Sequence, residues 1–378
     1  MHICHLSLLN PAIHSRIYYK MALSQVRAGY RVSIIAQDAA RKPYLRDGVQ
    51  IIPTGMFGRL SWRRIWSAFK MERLARRLGA DVYQVHTVEL LGVAKKLKRR
   101  LPRCKVIYDV HEDYAANIQH ADYYAERLRP HLIQRVREAQ DDFCRWGDAV
   151  IYAEDCFRGI MNFDPDVTVV VRNRYQAPRS QGIARVALQN PSLPMMLYTG
   201  TISENWGILR AIHLWAMLNR DRPVNLVVAG HAQDRRLLAD LQLRIRESGF
   251  RDRFAMVGGE VYLPYEEVVA WIEACTFGVA LYQLKENIRD RIPTKFYEYM
   301  AHGKPLVFTQ NPAWDSLNAR FPFGSSLAWP LDPSSVAAVW ERLDVMMRAG
   351  RRPIPGTVWS WEEEAPKMLT LLRRLTPS

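Results

Sequence analysis

Lys295 and Glu298 stand in "IPTKFYEYMAHGKPLV", residues 292–307, a stretch that is otherwise largely apolar. Thr294 after Pro293 reads as a helix cap, Lys295, Phe296 and Tyr297 as the first turn, and Gly303 before Pro305 as the stop. Free backbone N–H groups at such a helix start, with a lysine beside them, suit a phosphate. Glu298 follows one turn on, among Phe296, Tyr299 and Met300, where an apolar helix has little structural use for an acid. A carboxylate there can accept both hydroxyls of a cis-diol such as a ribose; the alternative is a solvent-facing or capping glutamate.

A second ionisable group is "YDVHEDY", which sets His111, Glu112 and Asp113 just past a strand end, a place that favours a site over core packing. His86 in "VYQVHTVELL" also ends a strand, and its apolar neighbours point to a satisfied core histidine. His14 and Arg16 fall in the loop after the first strand. His2 and His5 of "HICH" would face opposite ways on a strand, which argues against a metal site, and "DPD" at Asp164–Asp166 reads as a proline turn. The five cysteines, Cys4, Cys104, Cys144, Cys156 and Cys275, lack CxxC spacing, as expected of reduced thiols.

Positioning these groups requires a frame, and the apolar runs supply one. "HICHLS", "RVSIIA", "DVYQVH", "KVIYDV", "DAVIYA" and "VTVVV" alternate with helical patterns, and after a Pro/Gly/Ser/Asn-rich stretch "MMLYTG", "NLVVAG", "FAMVGG", "FGVALY" and "KPLVFT" repeat the rhythm. Alternation of this kind means βαβ units, so the fold class is α/β: two Rossmann-like, doubly wound domains facing a central cleft. The 378 residues divide into an N-terminal domain over 1–175, a linker over 176–194, a C-terminal domain over 195–355, and a terminal helix over 356–378, capped by Ser360, that can cross back to the first domain.

With 48% hydrophobic and 24% charged residues the chain is a folded globular protein. No signal peptide or transmembrane run is recognisable, so a soluble cytoplasmic protein is expected. The net charge of +15 is uneven: Arg59 to Lys105 carries fourteen Lys or Arg against three acids. In "RLSWRRIWSAFKMERLARRL", Trp62, Ile65, Trp66 and Phe69 recur at helical spacing, as in a core-facing helix with a basic outer face or in a contact with an anionic membrane surface. The patch has no nucleic-acid motif to accompany it.

"DRIPTKFYEYMAHGKPLV" resembles the donor-binding element of GT-B glycosyltransferases, specifically glycosyltransferase family 4, with Asp290 and Glu298 at its two acidic positions and aspartate in place of the more usual first glutamate. The likeness extends to "YTGTISENWG", "NLVVAG", "FAMVGG" and "KVIYDVHEDY". It implies that Glu298 holds the ribose of a nucleotide sugar, that Asp290 contacts the transferred sugar, that Lys295 lies near the diphosphate, and that His111 lies close to the reacting sugar while Glu112 binds or deprotonates the acceptor hydroxyl. The family usually carries an arginine and a lysine where this chain has Thr201 and Trp206, so two phosphate cations are missing. Lys295 with Arg289 or Arg291 is expected to compensate, aided by Gly200 and Thr201 as backbone and hydroxyl donors, with Arg210 a further candidate.

The implied function is a retaining, metal-independent glycosyltransferase of polysaccharide or glycoconjugate biosynthesis that needs no cofactor. It would move a sugar from a UDP- or GDP-linked donor to a glycan or lipid-linked saccharide, with an anionic membrane surface as a candidate partner and no nucleic acid. An inactive GT-B scaffold or partner subunit, and a nucleotide-sugar epimerase of the same fold, are the alternatives.

Overall fold

The computed structural model describes residues 1–58, 61–120, 124–178, 188–232, 234–348 and 354–376. Residues 179–187, the middle of the expected linker, lie outside the described residues, as does Arg59 of the basic run. The chain forms two compact units, Met1–Gln176 with Trp361–Ser378, and Ala177–Ser360.

The first unit is built on β1 (His2–Pro11), β2 (Arg31–Gln37), β3 (Tyr44–Arg46), β4 (Val49–Pro53), β5 (Val82–Val85), β6 (Lys105–Val110), β7 (Ala149–Tyr152) and β8 (Thr168–Val170). They form one sheet in the order β3-β4-β2-β1-β5-β6-β7-β8, parallel throughout except for the β3–β4 pair. Chain order reverses direction between β1 and β5, and a crevice for ligands is expected where neighbouring strands send their connections to opposite faces. β1, β5 and β6 are almost wholly buried, which accounts for their near-continuous apolar runs.

The second unit repeats the plan with β9 (Met195–Thr201), β10 (Asn225–His231), β11 (Phe254–Gly259), β12 (Phe277–Ala280), β13 (Leu306–Thr309) and β14 (Gly324–Leu327). Its all-parallel order β11-β10-β9-β12-β13-β14 places the switch between β9 and β12.

Two expectations about helices need correction. Residues 356–378 are not one helix capped by Ser360: a short helix Gly356–Trp359 ends at Ser360, and a separate helix runs Ala365–Leu375. Pro366, which has no N–H to give, sits in the first turn of that second helix, where the missing donor costs nothing. Trp361 and buried Glu364 anchor its approach: the indole donates to Ser24 Oγ at 2.9 Å, and Glu364 accepts from the Arg172 backbone at 2.9 Å and pairs with Arg174 at 3.1 Å.

The helix Arg63–Leu78 does not bury its aromatic set. Trp62, Ile65, Trp66 and Phe69 are 69%, 63%, 67% and 57% exposed, whereas Ser67, Met71 and Ala75 are buried. At about 100° per residue the two sets fall on opposite sides of the helix.

Candidate active site

In the second unit the site is assembled at the carboxyl ends of β9 and β12. β9 delivers Tyr198 and Gly200, and β12 leads into Tyr282. Gly200 has φ +89°, and a side chain there would meet Lys295 Cε at 3.4 Å. Gly207, at φ +82°, opens the helix Ile208–Asp221 so close to Leu281 that a Cβ would fall 1.9 Å from its carbonyl oxygen. Only glycine lets the loop return to the sheet at this point.

Lys295 lies in the first turn of the helix Thr294–Ala301, whose N-cap is Pro293 rather than Thr294; no side chain caps that start. The residue is half-buried, with its Nζ 4.8 Å from the ring centroid of Tyr198 and 5.4 Å from that of Tyr282. Among the described residues no hydrogen-bond or salt-bridge partner holds it. Burial is the larger influence and outweighs the attraction of Glu298, pushing the ammonium down to about 8. Glu298, 5% exposed, accepts from the Tyr265 hydroxyl at 3.0 Å. It is therefore a buried acid, neither solvent-facing nor capping.

The neighbouring cations divide. Glu298 and Arg291 both act electrostatically on Tyr282, whose hydroxyl is raised mainly by burial. Asn311 Nδ2 donates to the Arg289 carbonyl at 2.9 Å and Trp314 Nε1 to the Arg291 carbonyl at 2.6 Å, fixing the loop that carries Asp290 from beneath. The side chains of Arg289 and Asp290 are exposed, and no described contact ties them to Lys295. Arg210 is otherwise engaged, donating to the Tyr282 carbonyl at 2.8 Å with its guanidinium 4.8 Å from the ring of Trp329. Thr201 is exposed at the strand end, and Trp206 packs edge-on against Tyr282 at 5.1 Å, extending the aromatic floor under the lysine.

In the first unit the residues converge on Asp109, which is 0% exposed. Arg16 gives it three hydrogen bonds of 3.2, 2.9 and 2.6 Å, His86 Nδ1 lies 2.9 Å away, and His111 Nδ1 lies 3.6 Å away. Burial pushes this carboxyl upward most strongly, but Arg16 and the two histidines together overcome it and hold Asp109 well below the usual range. Behind it His86 Nε2 is 2.9 Å from His5 Nδ1, and His5 Nε2 is 2.7 Å from Gln25. His86 is buried as its sequence suggests, yet its partners are polar.

His14 lies with its ring centroid 6.4 Å from that of His111, and burial lowers it to about 3. Glu112 accepts from Asn117 Nδ2 at 3.1 Å, whereas Asp113 caps the helix Tyr114–Gln119 by accepting from the Ala116 N–H at 2.9 Å and is structural. His86, Asp109 and His111 offer donor atoms within 4.8 Å of one another, but a metal ion there would compete with Arg16 for Asp109.

Sequence reasoning missed Tyr198, Tyr282, Arg16 as an ion pair, and Asp109. The one available signal was Asp109 itself, an acid in the buried run "KVIYDV" that requires a partner.

Sequence models of known families match both halves of the chain. The sequence model described as Glycosyltransferase Family 4 matches residues 15–173, and that described as Glycosyl transferases group 1 matches residues 194–337. No curated protein sequence matches. Among solved structures, sucrose-phosphate synthase from Thermosynechococcus elongatus is similar with a TM-score of 0.73 at 14% identity, over 99% of this chain and 98% of that one. HepE of Anabaena in complex with UDP and glucose gives 0.64 at 13% identity, over 99% and 100%. WaaG, a glycosyltransferase involved in lipopolysaccharide biosynthesis, gives 0.63 at 12% over 100% of both chains. At these identities the structures establish the fold, and with one family sequence matched in each half, the chain belongs to the GT-B glycosyltransferases of family 4, group 1.

Proposed function

We propose that the protein transfers a sugar from a nucleotide-sugar donor held by the second unit to a saccharide held by the first, with retention at the transferred carbon. The observation that carries this reading is Lys295, a desolvated ammonium on two tyrosine faces with no counter-charge bound. A half-buried ammonium with no bonded counter-charge loses part of its hydration, and an arriving diphosphate would offset that loss. In this reading Lys295 and Arg291, with the amides that open the helix Thr294–Ala301, neutralise the leaving diphosphate in place of the two missing cations, and no metal is needed. Glu298 accepts the ribose hydroxyls, and exposed Asp290 meets the transferred sugar.

As the sugar–phosphate bond breaks, the acceptor oxygen forms the new glycosidic bond on the same face, and its proton passes to the departing diphosphate. His111 and Glu112 orient the acceptor. The exposed aromatic and basic helix Arg63–Leu78 supports peripheral contact with an anionic membrane during glycoconjugate or polysaccharide synthesis.

The experiment is a thermal-shift screen against UDP, GDP, ADP and their sugars, a choice guided by relatives solved with UDP, with UDP-glucose, and with ADP and acarbose. A shift selective for one nucleotide is expected. No shift with any of them would favour a second reading, an inactive scaffold, for which packed-in Trp206 is the supporting observation. Incubation with donor alone separates an epimerase, which would yield epimer or glycal.

A further inference from the structure

The second unit holds a cavity of about 470 Å³ at the amino ends of β12, β13 and β14, the edge of the sheet opposite the proposed donor site. Cys275 and Thr276 lead into β12, Lys304 and Pro305 into β13, and Pro322 and Phe323 into β14. The end of the helix Pro333–Arg348 and Ile354 complete the wall. Met300 and Phe323 are buried beside it, whereas Val345 and Met347 are 57% and 39% exposed. A concave, largely apolar space of this volume is that of a small-molecule site.

The polar side chains of the wall are already engaged. The Tyr299 hydroxyl donates to the Leu197 carbonyl at 3.4 Å, Cys275 Sγ to the Ile272 carbonyl at 3.2 Å, and Lys304 Nζ to the Cys275 carbonyl at 2.6 Å. Thr276 Oγ1 accepts from the Met195 N–H at 2.8 Å. A sugar or a nucleotide would bury hydroxyls and ring nitrogens there with few partners. An alkyl chain has none to bury, and flexible methionines mould to one.

The charge around the cavity has one sign. The described residues that line it include two cations, Lys304 and Arg342, and no acid. Arg342 is exposed, and no ion pair holds it among the described residues. Of the acids beside it on the helix, Asp344 pairs with Arg222 at 3.0 Å and lies 3.8 Å from Arg348, and exposed Glu341 is outside the lining. An apolar interior with a guanidinium at its edge is complementary to an apolar chain that ends in a carboxylate.

We propose that this cavity binds a fatty carboxylate, with the chain among Met300, Phe323, Met346 and Ile354 and the carboxylate on Arg342. The site stands independently of the transferase reading. Tyr299 and Met300 belong to the helix Thr294–Ala301, so the occupant touches the far end of the element that carries Lys295 and Glu298.

Calorimetric titration of the full chain with laurate, and with dodecanol as its neutral counterpart, tests this. Laurate is expected to bind about tenfold more tightly than dodecanol. Arg342→Glu removes that advantage and leaves dodecanol binding unchanged, whereas Met346→Trp, which fills the cavity, removes binding of both. The exposed Trp62 face could also take up an alkyl chain, so Trp62→Ser/Trp66→Ser is titrated alongside and should bind laurate as the wild type does. Methyl spectra of the wild type with isotope-labelled methionine give a readout that needs no variant fold: laurate should move the Met300, Met346 and Met347 signals. Absence of laurate binding, equal affinity for laurate and dodecanol, or unmoved signals from those three methionines overturns the proposal. So does laurate binding that is lost in Trp62→Ser/Trp66→Ser but kept in Arg342→Glu.

Discussion

Lys295 is the residue on which the proposed donor site turns, because it is half-buried against two tyrosine rings and, among the described residues, no acid is bonded to it. Its pKa of about 8, below the usual lysine value, gives a pH signature with a definite sign. Below about 8 the ammonium is already charged when a diphosphate arrives; above it, binding must take up a proton, so affinity falls by up to about tenfold per pH unit. UDP titrated from pH 7 to 9.5 should show a flat region and then this weakening, and Lys295→Gln should flatten the profile at a lower affinity. In the first unit Asp109→Asn would strand the buried Arg16 guanidinium, and a loss of about 3–5 kcal/mol in urea denaturation is expected. Lys295 and Glu298 were legible in the sequence because both are ionisable groups in an apolar helix. Tyr198, Tyr282 and Arg16 were not, since a tyrosine in a buried strand, or an arginine after one, acquires its role only from what the fold sets beside it.

Among the elements, the loop from β9 to the helix Ile208–Asp221 is the most constrained. Gly207→Ala drives a methyl group against the Leu281 carbonyl at a positive φ, so a loss above about 2 kcal/mol is expected, measured by urea denaturation. Gly200→Ala meets only the flexible end of Lys295 but is strained at φ +89°, so a fall in UDP affinity is expected together with a stability loss of about 1 kcal/mol. Alternating apolar runs made both sheets readable beforehand, because buried parallel strands need continuous hydrophobic stretches. The helix Arg63–Leu78 shows where spacing runs out: Trp62, Ile65, Trp66 and Phe69 have the period of a buried stripe, and only their phase against Met71 and Ala75 shows that they face outward. The terminal segment was misread for a related reason, since Ser360 has cap chemistry but Pro366 moves the helix start five residues on, to Ala365.

At the scale of the whole molecule, the charge of +15 and the outward aromatic face carry the proposed membrane contact. Co-sedimentation with vesicles containing phosphatidylglycerol should occur at low salt, weaken as ionic strength screens the lysines and arginines, and be lost in Trp62→Ser/Trp66→Ser without a fall in melting temperature. The division of labour between the units leads to the most direct test of the central claim. If Lys295 is kept desolvated for the sake of a diphosphate, replacing it with an apolar residue of similar length should relieve the ligand-free protein while disabling the donor site. Melting of wild type and Lys295→Met, each with and without UDP, measures both effects at once. The account predicts that the variant melts at or above the wild-type temperature alone and no longer shifts with UDP; a variant that shifts as wild type does would contradict it.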